Sequence, residues 1–159
     1  MLIKEISLEL FADYFQFYIQ DESVSGDLTE AWTDIAVERL LALNHGVIGV
    51  GTVRNMDVLT TFRIYDEEPD ILAESISIHQ INECDFIMES ENMVVAGCTD
   101  YFPDAHRVKI GKGLFRARIY YKDLDKISDD GLEGEDSYEI HLWPISKKLG
   151  LKILKNRNI

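Results

Sequence analysis

The chain has 159 residues, a formal charge of −13 and a hydrophobic content of 46%. One domain with a buried core is expected at this length, and the hydrophobic content excludes a disordered chain. No apolar run approaches the roughly 20 residues that span a bilayer, and two cysteines are too few for a disulfide scaffold. The negative charge disfavours direct binding to nucleic acid, because phosphate binding needs a positive surface. We therefore expect a cytoplasmic protein with reduced thiols, no membrane contact and no direct nucleic-acid partner.

The charge is divided unevenly along the sequence. Residues 1–105 contain 4 basic and 21 acidic side chains, whereas residues 106–159 contain 12 basic and 8 acidic ones. Such an asymmetry indicates a charged partner for the acidic part, or a surface that acidic residues keep soluble. Both interpretations stay open at this level.

The hydrophobic period predicts the first elements of the chain. Residues 6–10 and 15–20 alternate apolar and polar side chains, which is typical of strands. The period then becomes helical, and a helix is predicted over about 33–44. Thr33 or Asp34 can cap its start. No second segment predicts a helix of this length.

Most of the remaining chain alternates apolar and polar residues, as strands do. Strands are predicted over 47–53, 58–65, 72–78, 85–88, 93–96, 108–110, 115–121 and 138–144. About eight short strands joined by turns predict a mainly β fold: an antiparallel β-sandwich, or a closed sheet, with one inserted helix. We assign residues 1–145 to a single β-sandwich domain. Residues 146–159 are a basic C-terminal tail or extension, which could be an amphipathic helix, a last strand or a frayed end.

The chain contains histidine, cysteine and acidic residues, but they do not occur at the spacings that metal sites and catalytic motifs need. The four histidines form no local metal-binding pair, His141 is expected to face solvent, and Cys84 and Cys98 form no CxxC motif. The acidic loop over 123–136 lacks the glycine and glutamate positions of an EF-hand, although weak calcium binding stays open. We predict no catalytic residue, no metal site and no cofactor.

Carboxylates are concentrated in two short stretches. The predicted partner-binding residues in them are Asp66, Glu67, Glu68, Asp70, Glu83, Asp85, Glu89 and Glu91. A basic protein suits such a surface, because opposite charge accelerates association and desolvated ion pairs hold a complex. A nuclease is one example, since its groove must attract phosphate. The sequence predicts a non-catalytic protein that inhibits or neutralises a basic nuclease or toxin, as immunity proteins do.

Two other functions remain open. A pair of carboxylates could act as acid and base in a hydrolase or a carbohydrate-active sandwich. The domain could also form a homodimer, because aromatic side chains lie on the polar faces of predicted strands. These aromatic residues are Tyr18, Tyr65, Tyr120 and Trp143.

One segment resembles a known family. Its motifs, in order, are residues 15–21, Trp32-Thr33-Asp34, the predicted helix, Gly46-Val47-Ile48 and Arg54-Asn55. This order is similar to that of the competence-associated nuclease inhibitor ComJ family over residues 6–65. Residues 138–144 resemble the last strand of that family.

The resemblance implies a β-sandwich with one helix, which inhibits a DNA-degrading nuclease by direct binding and has no catalysis of its own. The matching residues are expected to be structural. Trp32 is expected to pack near the helix start, with Thr33 or Asp34 as the cap. Arg54 and Asn55 fit a turn before the next strand.

Overall fold

The structure is a computed structural model that describes residues 1–72 and 74–157. Strands predominate in it, and the described residues include one short α-helix, α1 (Asp34–Arg39). The strands are β1 (Leu2–Phe11), β2 (Gln16–Asp21), β3 (Leu41–Asn44), β4 (Val47–Gly51), β5 (Asp57–Tyr65), β6 (Ile78–Met88), β7 (Asn92–Gly97), β8 (His106–Lys109), β9 (Gly113–Lys122), β10 (Ser137–Pro144) and β11 (Lys152–Lys155).

These strands form two open sheets. The larger sheet has the order β1-β5-β10-β9-β6-β11, and the smaller has the order β3-β4-β2-β7-β8. Neighbouring strands are antiparallel except β5 and β10, which run parallel. The predicted mainly β sandwich with one helix is confirmed. It contains eleven strands in the described part of the chain where the sequence indicated about eight.

One apolar core fills the space between the two sheets. Phe17 and Ile19 of β2 are fully buried there, and they share the core with Phe62 of β5, Phe86 of β6 and Ile119 of β9. Burying one such side chain contributes about 1.5–3 kcal/mol. The alternation of apolar residues along each strand therefore decides which face of its sheet is covered.

The helix begins where the sequence predicts it. The hydroxyl group of Thr33 accepts a hydrogen bond from the backbone N–H of Ala36 at 3.2 Å, so Thr33 is the cap. The helix ends at Arg39, because Leu40 adopts the left-handed conformation with φ of 62°.

The predicted extension of the helix to residue 44 is wrong. Residues 41–44 form β3, which pairs with β4. Leu41 and Leu43 pack against the main core, while Ala42 between them packs in a separate cluster near the helix. Residues 41–43 thus alternate between the two clusters, as residues of a strand do. Packing in the sandwich therefore stabilises a strand here and not a longer helix.

The strand predicted over 72–78 is also wrong, because β6 begins at Ile78. The chain instead crosses the face of the larger sheet that points away from the core, called the outer face below. There the carbonyl group of Pro69 accepts a hydrogen bond from Arg118 at 2.9 Å. The N–H of Leu72 donates to the hydroxyl group of Tyr120 at 3.1 Å.

The C-terminal segment contacts the outer face at Gly150, whose carbonyl group accepts a hydrogen bond from Arg116 at 2.6 Å, and it then extends the edge of the larger sheet. Of the alternatives for this segment, residues 152–155 form a strand, which pairs antiparallel with β6. The expectation of exposed aromatic faces is wrong at two positions, since Tyr120 and Trp143 are buried. Tyr18 and Tyr65 are half-buried.

Candidate functional site

The outer face holds a buried cluster of charges. Arg116 and Arg118 of β9 have no exposed surface, and each donates its Nε proton to a different oxygen of Glu83, at 3.0 and 2.7 Å. Arg116 also donates to Asp85 at 2.9 Å. The antiparallel register of β6 and β9 places these residues opposite one another. Two of the predicted partner-binding carboxylates therefore bind arginines of the same chain.

Asp85 also fixes the C-terminal segment. Its carboxylate accepts hydrogen bonds from the backbone N–H groups of Leu149 and Gly150, at 3.0 and 2.8 Å. Burial alone would raise the pKa of Asp85, but these two N–H groups and the guanidinium of Arg116 lower it below its ordinary value. Asp85 is therefore ionised and ties the segment to β6.

A second group of charges lies on the same face. Glu139 accepts from His141 at 3.0 Å and pairs with Arg63 at 3.1 Å and Lys122 at 3.5 Å. Burial alone would raise the pKa of Glu139, but the hydrogen bond from His141 and the charges of Lys122 and Arg63 hold it at about 2. The expectation that His141 faces solvent is wrong: the side chain is buried and packs against the ring of Tyr120.

Two of the four carboxylates in the acidic turn over 66–70 have partners within the chain. Glu68 pairs with a buried arginine of β9 at 3.0 Å. Asp66 accepts from the N-terminal amino group at 2.7 Å, and this hydrogen bond lowers the pKa of Asp66. Glu67 and Asp70 are exposed.

The other predicted acidic residues lie on the turn between β6 and β7. Glu89 contacts His45 at 3.1 Å and Glu91 lies 3.9 Å from Lys109, and both glutamates are exposed. Six strand positions separate Glu83 from Glu89, which corresponds to about 20 Å along the sheet. The structure therefore does not gather the eight predicted carboxylates at one point.

Asp21, which is absent from the predicted sites, holds that turn in place. The side chain is fully buried and accepts from the backbone N–H of Glu89 at 2.7 Å and from the hydroxyl group of Ser90. Burial alone would raise the pKa of Asp21, but the hydrogen bonds from Ser90, Glu89 and Ser23 lower it. Ser23 is a local partner of Asp21, but Glu89 and Ser90, the partners in the turn, are 68 and 69 positions away, so local sequence does not reveal this role.

The motif residues on which the resemblance rests lie where they support the fold. Trp32 packs over Gly49 of β4, where an added Cβ would lie 2.8 Å from the ring. Arg54 is buried and donates to Asp136 at 2.8 Å, which ties the loop over 123–136 to the sandwich, and Asn55 is half-buried beside it. Within the described residues, no group of three or more His, Cys, Asp or Glu side chains could hold a metal ion.

A groove of about 470 Å³ lies between α1 and the turn that precedes β2. We call it the aromatic groove, and its lining includes Tyr14, Phe15, Gln16, Trp32, Val37 and Arg157. Tyr14 and Phe15 are 70% and 53% exposed, and their φ angles of 58° and 60° are left-handed. This groove is not predicted from the sequence, because a period of two places Phe15 inside a regular strand.

The fold is that of a ComJ-like β-sandwich. The solved structure of ComJ from Bacillus subtilis, described as an inhibitor of the DNA-degrading activity of NucA, is similar to this chain with a TM-score of 0.66. The two are 19% identical, and the match covers 91% of this chain and 98% of that one. The resemblance predicted from the sequence is confirmed at the level of the fold.

Other comparisons set the limits of this likeness. A structure described as crocagin biosynthetic gene J is similar with a TM-score of 0.57 and 16% identity, over 89% of this chain and 96% of that one. No family model matches the chain, and no curated protein matches its sequence. Among the described residues, none of the helices has the length and hydropathy needed to cross a membrane.

Proposed function

We propose that this protein is a non-catalytic inhibitor that binds a DNA-degrading nuclease or a basic toxin and neutralises it. The observation that carries the proposal is the likeness of nearly the whole fold to ComJ, an inhibitor of the DNA-degrading activity of NucA. The charge of −13 favours a basic partner, because opposite charges accelerate association. The inhibitor acts in the cytoplasm, needs no cofactor and does not bind nucleic acid. Its two unpaired cysteines fit a reducing compartment.

The proposed contact surface consists of the exposed carboxylates of the acidic turn and the β6–β7 turn. They are Asp66, Glu67, Glu68, Asp70, Glu89 and Glu91. Glu83 and Asp85 support this surface from below: Glu83 orients Arg118, which binds both Glu68 and the carbonyl group of Pro69. We therefore assign Glu83 and Asp85 a positioning role.

Competition with phosphate explains how such a surface inhibits. Carboxylates presented to a nuclease groove occupy the lysine and arginine side chains that would otherwise bind the DNA backbone. Exposed ion pairs contribute only about 0–1 kcal/mol each, so the acidic turn mainly sets the association rate and the salt dependence.

Two observations count against the alternative functions. A general acid needs a raised pKa, whereas burial of Asp85 and Glu139 is outweighed by hydrogen bonds and neighbouring cations that lower the pKa of both. The aromatic face that suggested a homodimer is covered at Tyr120 and Trp143. Inhibition is therefore the function that the geometry supports best.

The test uses the purified basic nuclease or toxin that is encoded nearest the gene. Its DNA-degrading activity is measured with increasing amounts of this protein, and binding is titrated at about 50 and about 300 mM salt. We expect stoichiometric inhibition and an affinity that falls at the higher salt. Full nuclease activity in an excess of this protein would refute the proposal.

A matched pair of variants tests the contact surface. Glu67→Gln with Asp70→Asn removes two exposed charges from the acidic turn, and Asp129→Asn with Glu133→Gln removes two from the loop over 123–136. The first variant should associate about tenfold more slowly than the second, although both have the same net charge. Equal rates for the two variants would show that the acidic turn is not the contact surface.

A further inference from the structure

We infer that the side of β6 opposite β9, called the β6 edge below, binds a basic, extended segment of the partner. The C-terminal segment over 146–157 occupies this edge until the partner displaces it. The identity of the partner rests on the proposed function. The chemistry of the occupant follows from the C-terminal segment, which shows what the edge accepts.

The C-terminal segment is held largely through backbone groups. The N–H groups of Leu149 and Gly150 donate to Asp85, and the carbonyl group of Gly150 accepts from Arg116. β11 then pairs with residues 81–83 of β6 in an irregular register, whereas β9 pairs with residues 78–88 on the other side. An added strand is bound mainly through such main-chain contacts, which depend little on its side chains. Another extended chain can therefore form them.

The apolar side chains of the segment add little to its attachment. Four of them are each between 37% and 44% exposed, namely Leu149, Leu151, Ile153 and Leu154. None of the four packs into a buried apolar cluster of the described residues. Because burial of apolar surface is the main source of stability, the segment is bound more weakly than the strands of the core. It can therefore leave the β6 edge while the sandwich stays folded.

The charge of the molecule favours a basic occupant. Residues 146–159 contain five basic side chains and no acidic one, so residues 1–145 carry −18 of the formal charge of −13. The occupant that the structure places at the β6 edge is thus a cationic segment on an acidic body. Long-range attraction of this kind acts on any basic segment that approaches the edge.

The C-terminal segment satisfies the edge incompletely. Arg116 is fully buried, and its Nη1 atom donates to Asp85 and to Gly150, but its buried Nη2 atom has no hydrogen-bond partner. Leaving a buried donor unpaired is unfavourable. A cavity of about 180 Å³, whose lining includes Asp85, Ile87 and Lys148, lies farther along β6 than the residues that pair with β11. A longer segment has room to pair there.

The β6 edge also leads to the proposed contact surface. β6 continues to Met88, and the turn that follows carries the exposed carboxylates of Glu89 and Glu91. The five positions from Glu83 to Met88 span about 17 Å. A partner segment laid along the edge therefore reaches the turn, so one chain contacts both.

The first test measures exchange of the segment with a peptide of the same sequence. Leu149→Pro removes one N–H group that donates to Asp85 and leaves the β6 edge unchanged, and Leu149→Ala is the control that keeps this N–H group. A labelled peptide with the sequence of residues 146–157 is titrated into each full-length variant. We expect about tenfold tighter binding to Leu149→Pro, because the competing segment is held less firmly. Equal affinities, or no binding to either variant, would refute the inference.

The state of Leu149→Pro is checked separately. Its melting temperature should stay close to that of the control, because Leu149 lies outside the core. Hydrogen exchange at the amide of Gly150 should accelerate, since the segment opens more often. Unchanged exchange at Gly150, together with unchanged peptide binding, would show that the segment does not open.

The second test concerns the chemistry and the place of the occupant. A peptide with glutamates in place of its lysines and arginine should bind Leu149→Pro at least about tenfold more weakly. Binding of the basic peptide should shift the amide resonances of Asp85 and Ile87 on β6 and leave that of Lys109 on β8 unchanged. Equal binding of the acidic peptide, or shifts confined to other strands, would refute the inference.

The third test applies the same variants to the nuclease. Leu149→Pro should inhibit its DNA-degrading activity at about tenfold lower concentration than Leu149→Ala, because the β6 edge is open more often. Equal inhibition by the two variants would overturn the assignment of this edge to the nuclease.

The two proposals fail in distinguishable ways. If both variants inhibit the nuclease equally and the peptide does not exchange, the β6 edge is not a contact site and the proposed function stands. If the peptide exchanges as expected but neither variant inhibits the nuclease, the edge binds basic segments and the proposed function fails.

Discussion

The Nε atom of Arg118 lies 2.7 Å from Oε2 of Glu83, and both side chains are buried on the outer face of the larger sheet. The other oxygen of Glu83 accepts a hydrogen bond from Arg116 at 3.0 Å. Glu83 thus joins two arginines, which also pair with Asp85 and Glu68, although it lies in an acid-rich stretch of sequence that is typical of a surface. The stability of the outer face should depend on it.

Glu83→Gln should destabilise the protein strongly. The amide keeps the shape of the side chain but removes the buried charge that Arg116 and Arg118 share, and breaking a buried ion pair costs about 3–5 kcal/mol. Urea unfolding measures the change in the free energy of unfolding. Glu67→Gln is the control and should change it by less than about 0.5 kcal/mol. Equal stability of the two variants would contradict a buried role for Glu83.

Asp21→Asn should loosen the turn between β6 and β7. Asparagine has one acceptor oxygen where aspartate has two, so hydrogen bonds to Glu89 and Ser90 are lost and stability falls by about 1–3 kcal/mol. Hydrogen exchange at the amides of Glu89 and Ser90 should accelerate, whereas Glu91→Gln should leave it unchanged. Unaltered exchange in Asp21→Asn would show that the carboxylate does not hold the turn.

Acid should destabilise the protein through Glu139. Its pKa is about 2 in the folded state against an ordinary value of 4.5, because His141, Lys122 and Arg63 outweigh the effect of burial. A lowered folded pKa contributes stability that is fully present above the unfolded pKa. This stability is lost as the pH falls from about 4.5 to about 2. Urea midpoints across that range should fall less steeply for Glu139→Gln, and parallel slopes would contradict the assignment.

The two thiols should differ in reactivity. Burial raises the pKa of Cys84 to about 12, and partial burial also raises the pKa of the less enclosed Cys98. Because the thiolate is the reactive form, iodoacetamide at about pH 8 should modify Cys98 slowly and Cys84 hardly at all in the native protein. Mass spectrometry locates the label, and unfolding in urea should equalise the two rates. Faster labelling of native Cys84 would disprove its burial.

The helix cap gives a further prediction. Thr33→Ala should lower the free energy of unfolding by about 1 kcal/mol, because the N–H of Ala36 loses its acceptor. Thr33→Ser retains the hydroxyl group and should lie close to the parent protein in urea unfolding. If both variants lose the same stability, the methyl group and not the cap is responsible.

Local sequence predicted the sandwich because period-two alternation survives in most strands, as in Phe17 and Ile19 of β2. It also predicted the helix start, since a threonine cap is a local signal. It failed at the helix end, where Leu41 and Leu43 fit both periods and only packing against the core decides between them. Local periodicity also gave no sign that β5 and β10 pair in parallel.

The candidate site was harder to predict from the sequence than the fold was. Acid density identified the turn over 66–70, but it could not separate exposed Glu67 from buried Glu83, whose arginine partners are 33 and 35 positions away. The aromatic groove gave no signal, because left-handed backbones are expected at glycine or asparagine and not at Tyr14 and Phe15.

The place of β10 in the larger sheet has a consequence for how the protein is made. β10 lies between β5 and β9, so β5 keeps an unpaired edge until residues 137–144 have left the ribosome. Pairing across so long a stretch of chain is slow, and a bare strand edge invites pairing with other chains. Synthesis that stops before residue 137 should therefore yield a fragment that aggregates through the bare edge of β5.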